Sequence, residues 1–581
     1  MCRAKGRSVE VFLTQIIRMI TWGNEPVDVG ELQRKLSQRA TLEPQHRFGD
    51  LYSLLTHHDW LARAYHRVKT NTGSQTPGVD GVTRTLFEAN LEGNLETLRQ
   101  ELKSGTFHPL PVRRVTIEEQ KADGRIKERR LGIPALRDRI VQEGLRMILE
   151  PIYEADFSRH SYGFRPNRST KDAVTYLATR LTHGRSYGWA IEGDIRACFD
   201  GIGHRKLVRL LRRRIRDAKL LHLIRGFLRA GCLEGLNYRP TLAGTPQGGI
   251  ASPILANIYL HELDRYMAQY TEMSRAERQK RKRHGLPNFL YVRYADDFVI
   301  LCDGTKSQAK AMRQELSQFL STTLKLELSI EKTRITHVSQ GFIFLGFQIE
   351  RTMGQGGKPV PKVRIPDTAL RRMRHKIEQV LSPATCQDSV RTKIIALNRM
   401  IQGWCEYYRT TASPGVYFRR LNYRVFWKMA HWLGRKFKLS MPRVLRRFLQ
   451  HNSFGTKTVR LRMPSEFTTK WYRLRTIPNP YTSTQTHLQR EAEFSFQRAW
   501  SGSEMRQGNA DLRERVYDRD GGRCGWCGWF VPWNDYHMDH IKPRHRFKRP
   551  DEADVLENLQ VLHKRPCHDV KTKSDLRAVA V

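Results

Sequence analysis

Leu290-Tyr291-Val292-Arg293-Tyr294-Ala295-Asp296-Asp297-Phe298-Val299-Ile300-Leu301 sets two adjacent carboxylates between two short runs of aromatic and β-branched residues. Such runs read as strands, which predicts a β-hairpin with Ala295-Asp296-Asp297 at its tip. Carboxylates beside apolar strands are costly to desolvate unless something neutralises them, and a divalent cation does so. Aspartate is also a common turn residue, so the stretch alone serves a surface turn and a metal site equally well. What flanks it decides between them.

Composition narrows the partners. The chain has 581 residues, of which 39% are hydrophobic and 9% aromatic, so packed cores are expected. That length accommodates roughly four domains of ~150 residues. Lys and Arg number 101 against 58 Asp and Glu, a formal charge of +43 spread along the whole length. A polyanionic partner follows, nucleic acid ahead of a membrane, because the basic residues alternate with aromatics in folded segments. No apolar run approaches the ~18 residues of a spanning helix, and the basic N-terminus lacks the apolar core of a signal peptide. No membrane partner is expected. Most of the nine cysteines are isolated, which fits a reducing compartment; only Cys524, Cys527 and Cys567 cluster.

Upstream of the hairpin, Tyr187 to Asp194 reads as a buried strand ending in an acid, with Phe199 and Asp200 just beyond. Between the two lies Ala243-Gly244-Thr245-Pro246-Gln247-Gly248-Gly249-Ile250-Ala251-Ser252-Pro253, whose small residues let a polynucleotide approach the backbone. Phe107 to Pro134 predicts paired strands around Ala122-Asp123-Gly124, carrying Arg113, Arg114, Lys121, Arg125, Lys127, Arg129 and Arg130. A basic hairpin can grip phosphates, and a solvated charged hairpin would look the same. Ser169 or Thr170 should cap a helix beginning at Lys171. Downstream, Leu324 to Arg334 alternates like a half-buried strand, and Gly341 to Phe347 signals another hairpin. Helical patterns cover Val9 to Ile20, Thr368 to Leu381 and Ser389 to Tyr408. Tyr417, Phe418, Tyr423, Phe426 and Trp427 are expected to form the core of a helical bundle, its basic face left for RNA.

Three acids thus stand at two strand positions, Asp194 and Asp296-Asp297, with a glycine-rich loop and helix between them. Nucleotide polymerisation uses such a set, because carboxylates on adjacent strands can hold two Mg²⁺ ions. At this point the sequence resembles the reverse transcriptases, specifically the group II intron-encoded proteins that combine reverse transcriptase and maturase. The motifs are Asp194-Ile-x-x-x-Phe199-Asp200, Gly244-x-Pro-Gln-Gly248-x-x-x-Ser-Pro-x-x-x-Asn257, Tyr294-x-Asp-Asp297 and Phe344-Leu-Gly-Phe347, in that order.

The resemblance implies a multidomain α+β chain: a right-hand polymerase with fingers and an antiparallel palm sheet, a helical thumb or maturase domain, and a C-terminal unit. It implies that Asp194, Asp296 and Asp297 bind the two Mg²⁺ ions and that Phe199 gates against a ribose 2′-hydroxyl. Lys121 and Arg129 would hold the dNTP triphosphate, Gln247 and Gly248 the templating pair. Lys332 would lie near the leaving pyrophosphate, and Phe344 to Phe347 would support the primer.

The C-terminal stretch supplies the last unit. Cys524-x-x-Cys527 with His563 and Cys567 reads as a tetrahedral zinc site. Met538-Asp539-His540, Asn558 and Cys567-His568 resemble an HNH nuclease, a ββα-metal fold too small to be stable without its structural Zn²⁺. The resemblance makes His540 the general base, Asp539 and His568 ligands of one Mg²⁺, and Asn558 the residue that fixes the hairpin beneath His540. A zinc-stapled DNA-binding knuckle competes with it.

Expected boundaries are 1–85 for an N-terminal helical extension and loop, 86–355 for fingers and palm, 356–440 for the thumb or maturase domain, 441–510 for a basic DNA-binding region and linker, and 511–581 for the HNH domain. Expected partners are group II intron RNA, target DNA and dNTPs; the expected compartment is the bacterial cytoplasm, or else an organelle. Two rivals stay open: a non-enzymatic RNA-binding maturase, and a reverse transcriptase-nuclease of a defence element. Loss of one of the three acids would favour the first, and none is lost; the maturase-like helices oppose the second.

Overall fold

The computed structural model describes residues 28–482, apart from 72, 121–125, 183–186, 235–236, 242, 246–247, 355–356, 451–452 and 457. Further along it describes 516–517, 519–520, 523–527, 531, 536–543, 547, 555–563, 567 and 571. The chain forms two compact units, residues 1–471 and 472–581. Val9 to Ile20 lies outside the described residues. Among the described residues no helix is long and apolar enough to cross a membrane.

The first unit opens with helices α1 (Val29–Leu42), α2 (His58–Lys69) and α3 (Leu91–Ser104). Asp28 caps α1 by accepting from the Gly30 and Glu31 amides, and Asn90 caps α3 through the Gly93 amide. Both α1 and α2 pack on α4 (Leu136–Glu154), which is buried almost along its whole length. Trp60 marks that contact, its ring N–H donating to the Gly144 carbonyl at 3.2 Å.

Strands β1 (Val112–Gln120) and β2 (Ile126–Ile133) form the expected hairpin, antiparallel from Arg113↔Ile133 to Gln120↔Ile126; its turn, Ala122-Asp123-Gly124, lies outside the described residues. Helix α5 (Thr170–Thr179) starts where Ser169 and Asp172 form a reciprocal capping box. Strand β3 (Trp189–Arg196) leads through a short helical turn into α6 (His204–Leu211) and α7 (Ala218–Arg229). Two short strands, β4 (Cys232–Glu234) and β5 (Asn237–Arg239), join the first hairpin to make a sheet of order β2-β1-β4-β5.

After α8 (Ser252–Thr271) come β6 (Phe289–Tyr294) and β7 (Asp297–Cys302), the hairpin read from the sequence. Nearly every residue of both strands is buried, because α8 covers β6 while β3 flanks β7. Apolar runs without alternation suit that double burial. Helix α9 (Lys306–Phe319) then leads to β8 (Glu327–Leu328) and β9 (Arg334–His337), which both pair with β3. The sheet has β3 at its centre, with β7 and β6 on one side and β8 and β9 on the other.

Leu324 to Arg334 is therefore not one strand. The chain turns at 329–333, where the Ser329 amide donates to the Asp194 carbonyl at 2.8 Å and the Thr333 amide and hydroxyl donate to the Ser329 carbonyl. Apolar alternation continues through the turn, so sequence period alone could not reveal it.

A third sheet, β10 (Phe342–Phe344), β11 (Phe347–Met353) and β12 (Pro359–Arg364), precedes four helices: α10 (Asp367–Val380), α11 (Val390–Tyr408), α12 (Pro414–Phe437) and α13 (Met441–Phe448). Phe418 is fully buried among them, and Phe426 packs on Phe454 with ring centroids 4.9 Å apart. Tyr423 departs from the expected core, since 69% of it is exposed. Residues just past 441 stay packed on these helices; Asn398 donates to the Arg460 carbonyl and accepts from the Arg462 amide.

In the second unit the strands Tyr536–His540 and Leu559–His563 pair antiparallel, with His540 opposite Leu559. Val516, Tyr517, Val531, Leu559, Val561 and Leu562 form a small core that also takes in Cys524 and Cys567.

Candidate active site

Two of the three polymerase-type acids are direct partners across adjacent strands: the β3–β7 register places Asp194 opposite Asp297. Tyr294 is also paired with Asp297, so Ala295 and Asp296 make the two-residue turn between β6 and β7. Ala295 adopts φ 58°, a left-handed conformation that costs a side chain about 1–2 kcal/mol. The surroundings enforce it.

Arg293, wholly buried in the middle of an apolar strand, is the main constraint. Its guanidinium donates to both carboxylate oxygens of buried Asp264 at 2.7 and 2.6 Å, to the Asn257 side-chain oxygen at 3.0 Å and to the Ser161 hydroxyl at 2.9 Å. The remaining bond, 2.9 Å, goes to the Ala295 carbonyl inside the acidic turn. Burial alone would raise the Asp264 carboxyl, but Arg293 outweighs it and holds that carboxyl well below the usual range.

Gly163 closes the turn from below. A Cβ there would meet the Ala295 amide nitrogen at 2.3 Å, and Asn257 donates to the Gly163 carbonyl at 2.8 Å. Arg165, two residues on, is buried against Glu154 at 2.6 Å and donates to the Ser158 and Ser161 carbonyls. Sequence reasoning singled out none of Arg293, Asp264 and Gly163 as functional. The available signal was a charge at position 293 inside an apolar strand, which demands a buried partner.

The acids repel one another. Partial desolvation, then Asp296 and Asp194, push Asp297 up to about 6, with Lys332 opposing. Asp296 is raised by the same desolvation and by Asp194, against Lys332 and Arg293. Two carboxyls held above their usual range beside a third are the condition that a divalent cation relieves. Lys332 sits at the 329–333 turn and places its ammonium 2.5 Å from the Asp194 carboxylate.

Phe199 lies in the short helical turn after β3, edge-on to Phe164 at 6.3 Å. Its carbonyl accepts from the Thr245 amide at 2.8 Å, which draws the glycine loop against the acids. Gly244, at φ 91°, approaches Asp200 so closely that a Cβ would lie 2.8 Å from the Asp200 Cα. Gly248, at φ 113°, leaves a Cβ only 2.3 Å from the Gly132 carbonyl oxygen. Glycine is required at both. Gln247 and Lys121 lie outside the described residues. Arg129 is placed by its backbone alone, opposite Ile117 in β2.

The Phe344 to Phe347 hairpin is held by two neighbours. Glu192 on β3 accepts from the Ile343 amide at 3.1 Å. From α11, Tyr407 donates to the Leu345 carbonyl at 2.7 Å and Tyr408 to the Gly346 carbonyl at 3.1 Å, while Phe347 stacks on Tyr407 at 4.8 Å.

In the second unit Cys524, Cys527, His563 and Cys567 bring one ligand atom each to within 4.8 Å of the others. The His563 Nδ1 lies 3.5 Å from the Cys527 sulfur and 3.6 Å from that of Cys567. Ligands ~2.0–2.3 Å from a tetrahedral zinc stand roughly 3.3–3.8 Å apart, so this donor set fits the ion. Burial would raise the Cys524 thiol, but the backbone N–H groups of Cys527, His563 and Trp526 bring it down to about 6. Burial and the Cys527 and Cys524 sulfurs push Cys567 up to about 12, a repulsion that a bound dication removes.

His540 ends its strand, and Asn558 fastens the backbone just beyond it. Asn558 accepts from the Lys542 amide at 2.9 Å, donates to the Lys542 carbonyl at 3.1 Å, and receives the Ile541 amide on its own carbonyl at 2.7 Å. Asp539 pairs with Lys571 at 3.0 Å. His568 lies outside the described residues.

Acids paired across two antiparallel strands, with a glycine loop drawn against them, make a carboxylate set suited to holding divalent cations. Comparison with known proteins gives the class of the chain. Family profiles match three successive segments: reverse transcriptase (RNA-dependent DNA polymerase) over 119–349, group II intron maturase-specific domain over 370–449, and HNH endonuclease over 524–574. The chain is 40% identical over 371 residues to Protein YkfC of Escherichia coli (strain K12), covering 61% of this chain and 96% of that protein. It is 35% identical over 412 residues to the group II intron-encoded protein LtrA of Lactococcus lactis subsp. cremoris, 62% of this chain and 66% of LtrA. A putative COX1/OXI3 intron 2 protein of Saccharomyces cerevisiae is 28% identical over 446 residues, 65% of this chain and 51% of its own length. The chain thus spans nearly all of YkfC, just under two thirds of LtrA and about half of the yeast protein. It belongs to the group II intron-encoded proteins, with reverse transcriptase, maturase and HNH endonuclease domains in one polypeptide.

Proposed function

We propose that this chain copies RNA into DNA on a right-hand palm whose floor is Asp194, Asp296 and Asp297, and that it serves the splicing and mobility of a group II intron. The observation that carries the reading is the register of Asp194 against Asp297 with Asp296 in the adjoining turn. Two Mg²⁺ ions held there would acidify a primer 3′-hydroxyl and neutralise the triphosphate. The protein's own part is to aim the acids through Arg293 and Gly163, and to keep Lys332 beside Asp194. Phe199 gates the incoming sugar. Lys121 and Arg129 on the fingers hairpin take the triphosphate, Gln247 and Gly248 face the templating pair, and the Phe344 to Phe347 turn supports the primer.

The helices from α10 to α13 act as thumb and maturase domain, binding intron RNA through their basic surface and stabilising the fold in which that RNA splices itself. The second unit is a ββα-metal nuclease stapled by Zn²⁺ on Cys524, Cys527, His563 and Cys567. In it His540 takes a proton from water, Asn558 fixes the strand end, and Asp539 and His568 hold one Mg²⁺. Intron RNA reverse-splices into one strand of target DNA, the nuclease nicks the other, and the polymerase extends the nick with dNTPs. The proposed setting is a bacterial cytoplasm or else an organelle, with domain boundaries at 85/86, 355/356, 440/441 and 510/511.

Primer extension tests the core of this reading. Purified protein with Mg²⁺ and dNTPs is expected to extend a DNA primer on RNA, and Asp296→Ala to abolish extension. No extension by the wild type, or full extension by Asp296→Ala, would refute it.

A further inference from the structure

Helices α6 and α7 enclose a cleft of about 320 Å³ whose polar lining is strongly basic. Arg205, Arg209 and Arg212 enter from α6 and the residue after it, Arg225 and Arg229 from α7. Both helices are fixed by their other face: Leu207, Leu210, Leu211, Leu220 and Ile224 are buried in the core, so the arginines have no freedom to rotate away as a body.

Arginines elsewhere in the same stretch are neutralised. Arg213 pairs with Glu262 at 2.5 Å and Arg214 with Asp156 at 3.1 Å. Among the described residues no carboxylate pairs with any of the five in the cleft. Arg205 and Arg209 stand four residues apart on one helix, as do Arg225 and Arg229 on the other, and like charges at that spacing repel. Five guanidinium groups gathered without counter-charge cost the fold stability unless an anion enters between them.

The shape of that anion follows from the layout. Two rows of guanidinium groups, each stepping ~6 Å along its helix, suit a row of charges rather than one ion. Guanidinium forks match phosphate oxygens pairwise. The His204 ring, part of the cleft lining, donates to the Gly244 carbonyl at 2.7 Å, which ties this wall of the cleft to the glycine loop beside Asp200. We propose that the α6–α7 cleft is a binding site for the phosphodiester backbone of a polynucleotide strand, separate from the polymerase acids.

Salt dependence of binding tests this on the full-length protein. The probes are a labelled single-stranded RNA of mixed sequence and the DNA of the same sequence, each titrated over a range of KCl concentrations. Arg209→Gln/Arg225→Gln removes one guanidinium from each wall. Each lost phosphate contact on a single strand flattens the plot of log K against log salt by ~0.7, so the double variant should be shallower by about 1.4. Arg213→Gln/Arg265→Gln removes two nearby charges that face Glu262 instead, and should keep close to the wild-type slope.

A flattened slope on both probes supports a backbone site, and one on RNA or DNA alone supports it and identifies the strand. If the double variant melts early, the single variants, each expected to be shallower by about 0.7, carry the same comparison. Arg209→Lys/Arg225→Lys keeps the charges and should keep the slope. A cleft variant no shallower than the Arg213→Gln/Arg265→Gln control on either probe overturns the proposal, and so does loss of slope in the lysine variant. The measurement reads binding alone, so its outcome is independent of whether the protein polymerises DNA.

Discussion

Replacing Arg293 by methionine removes one partner of an ion pair in which both side chains are wholly inaccessible to solvent. Asp264 would be left with a buried charge and only the Tyr291 hydroxyl and His261 for company. Breaking such a pair costs about 3–5 kcal/mol, largely the penalty of the stranded charge. For a unit spanning residues 1–471, whose unfolding entropy is about 1 kcal/mol/K, that corresponds to an apparent melting temperature lower by roughly 3–5 °C. Because the same guanidinium holds the Ala295 carbonyl, a second effect is expected at permissive temperature: the acidic turn loosens and half-maximal primer extension requires more Mg²⁺. Arg293→Met/Asp264→Leu removes both charges and should melt higher than Arg293→Met alone, since a hydrophobic pair of similar volume is often no worse than a buried ion pair. It should not restore the Mg²⁺ requirement, because the bond to Ala295 is still missing. Thermal melting and extension rates across a Mg²⁺ titration read the two effects separately. The reasoning is refuted if Arg293→Met behaves like Arg196→Gln, which alters a pair exposed by more than half on both sides, or if the costs of the two single changes simply add.

Asp297 binds its proton more tightly in the folded chain, at about 6 against an ordinary 3.8. Without metal this group therefore stabilises the fold below the unfolded value, and that contribution is lost as pH rises through about 6. Added Mg²⁺ should raise the melting temperature more at about pH 7.5 than at about pH 5, where protonated acids compete with the ion; extension at limiting Mg²⁺ should fall as pH drops, and Lys332→Ala should move that limb upward. Gly163→Ala is expected to slow extension by about 10²-fold through displacement of the acidic turn, with primer–template affinity unchanged; wild-type rates would show that the 2.3 Å approach to Ala295 relaxes freely. Chelating zinc, or changing Cys567 to serine, should unfold the C-terminal unit and abolish DNA nicking while extension on RNA continues. Metal analysis is expected to find one zinc per chain, and a chelator-treated protein that still nicks would refute the assignment.

The chemistry-bearing positions were legible because catalysis restricts residue types at short spacing. The strand signals place Asp194 and the hairpin that presents the 296–297 pair, while the role of these acids comes from the order of motifs around them. What stayed hidden was their support. Arg293 looks like one more basic residue in a basic chain, and only the burial of both faces of β6 shows that it must have a partner. Asp264 sits 29 residues away on α8, Ser161 and Gly163 farther still, and no local period connects them. Apolar alternation puts Lys332 on a strand, yet it lies on a turn, because that turn is imposed by the Asp194 carbonyl, a contact between distant segments. The Cys524 to Cys567 set was readable for the opposite reason: sulfur and imidazole at metal-binding spacing carry their partners in the sequence.

The grip of Tyr407 and Tyr408 on the Leu345–Gly346 turn bears on how this chain can be trimmed. That turn holds Leu345 at φ 49° and Gly346 at φ 75°, and both of its carbonyls point to phenols from α11. A minimal polymerase ending near residue 355 would expose those carbonyls and the Phe347 ring together, leaving a strained loop at the turn proposed to support the primer. The natural cut for a stable catalytic fragment lies after the helical bundle, near the 471–472 division. A shortened enzyme engineered for copying RNA would have to keep the maturase-type helices, even when no intron is there to be spliced.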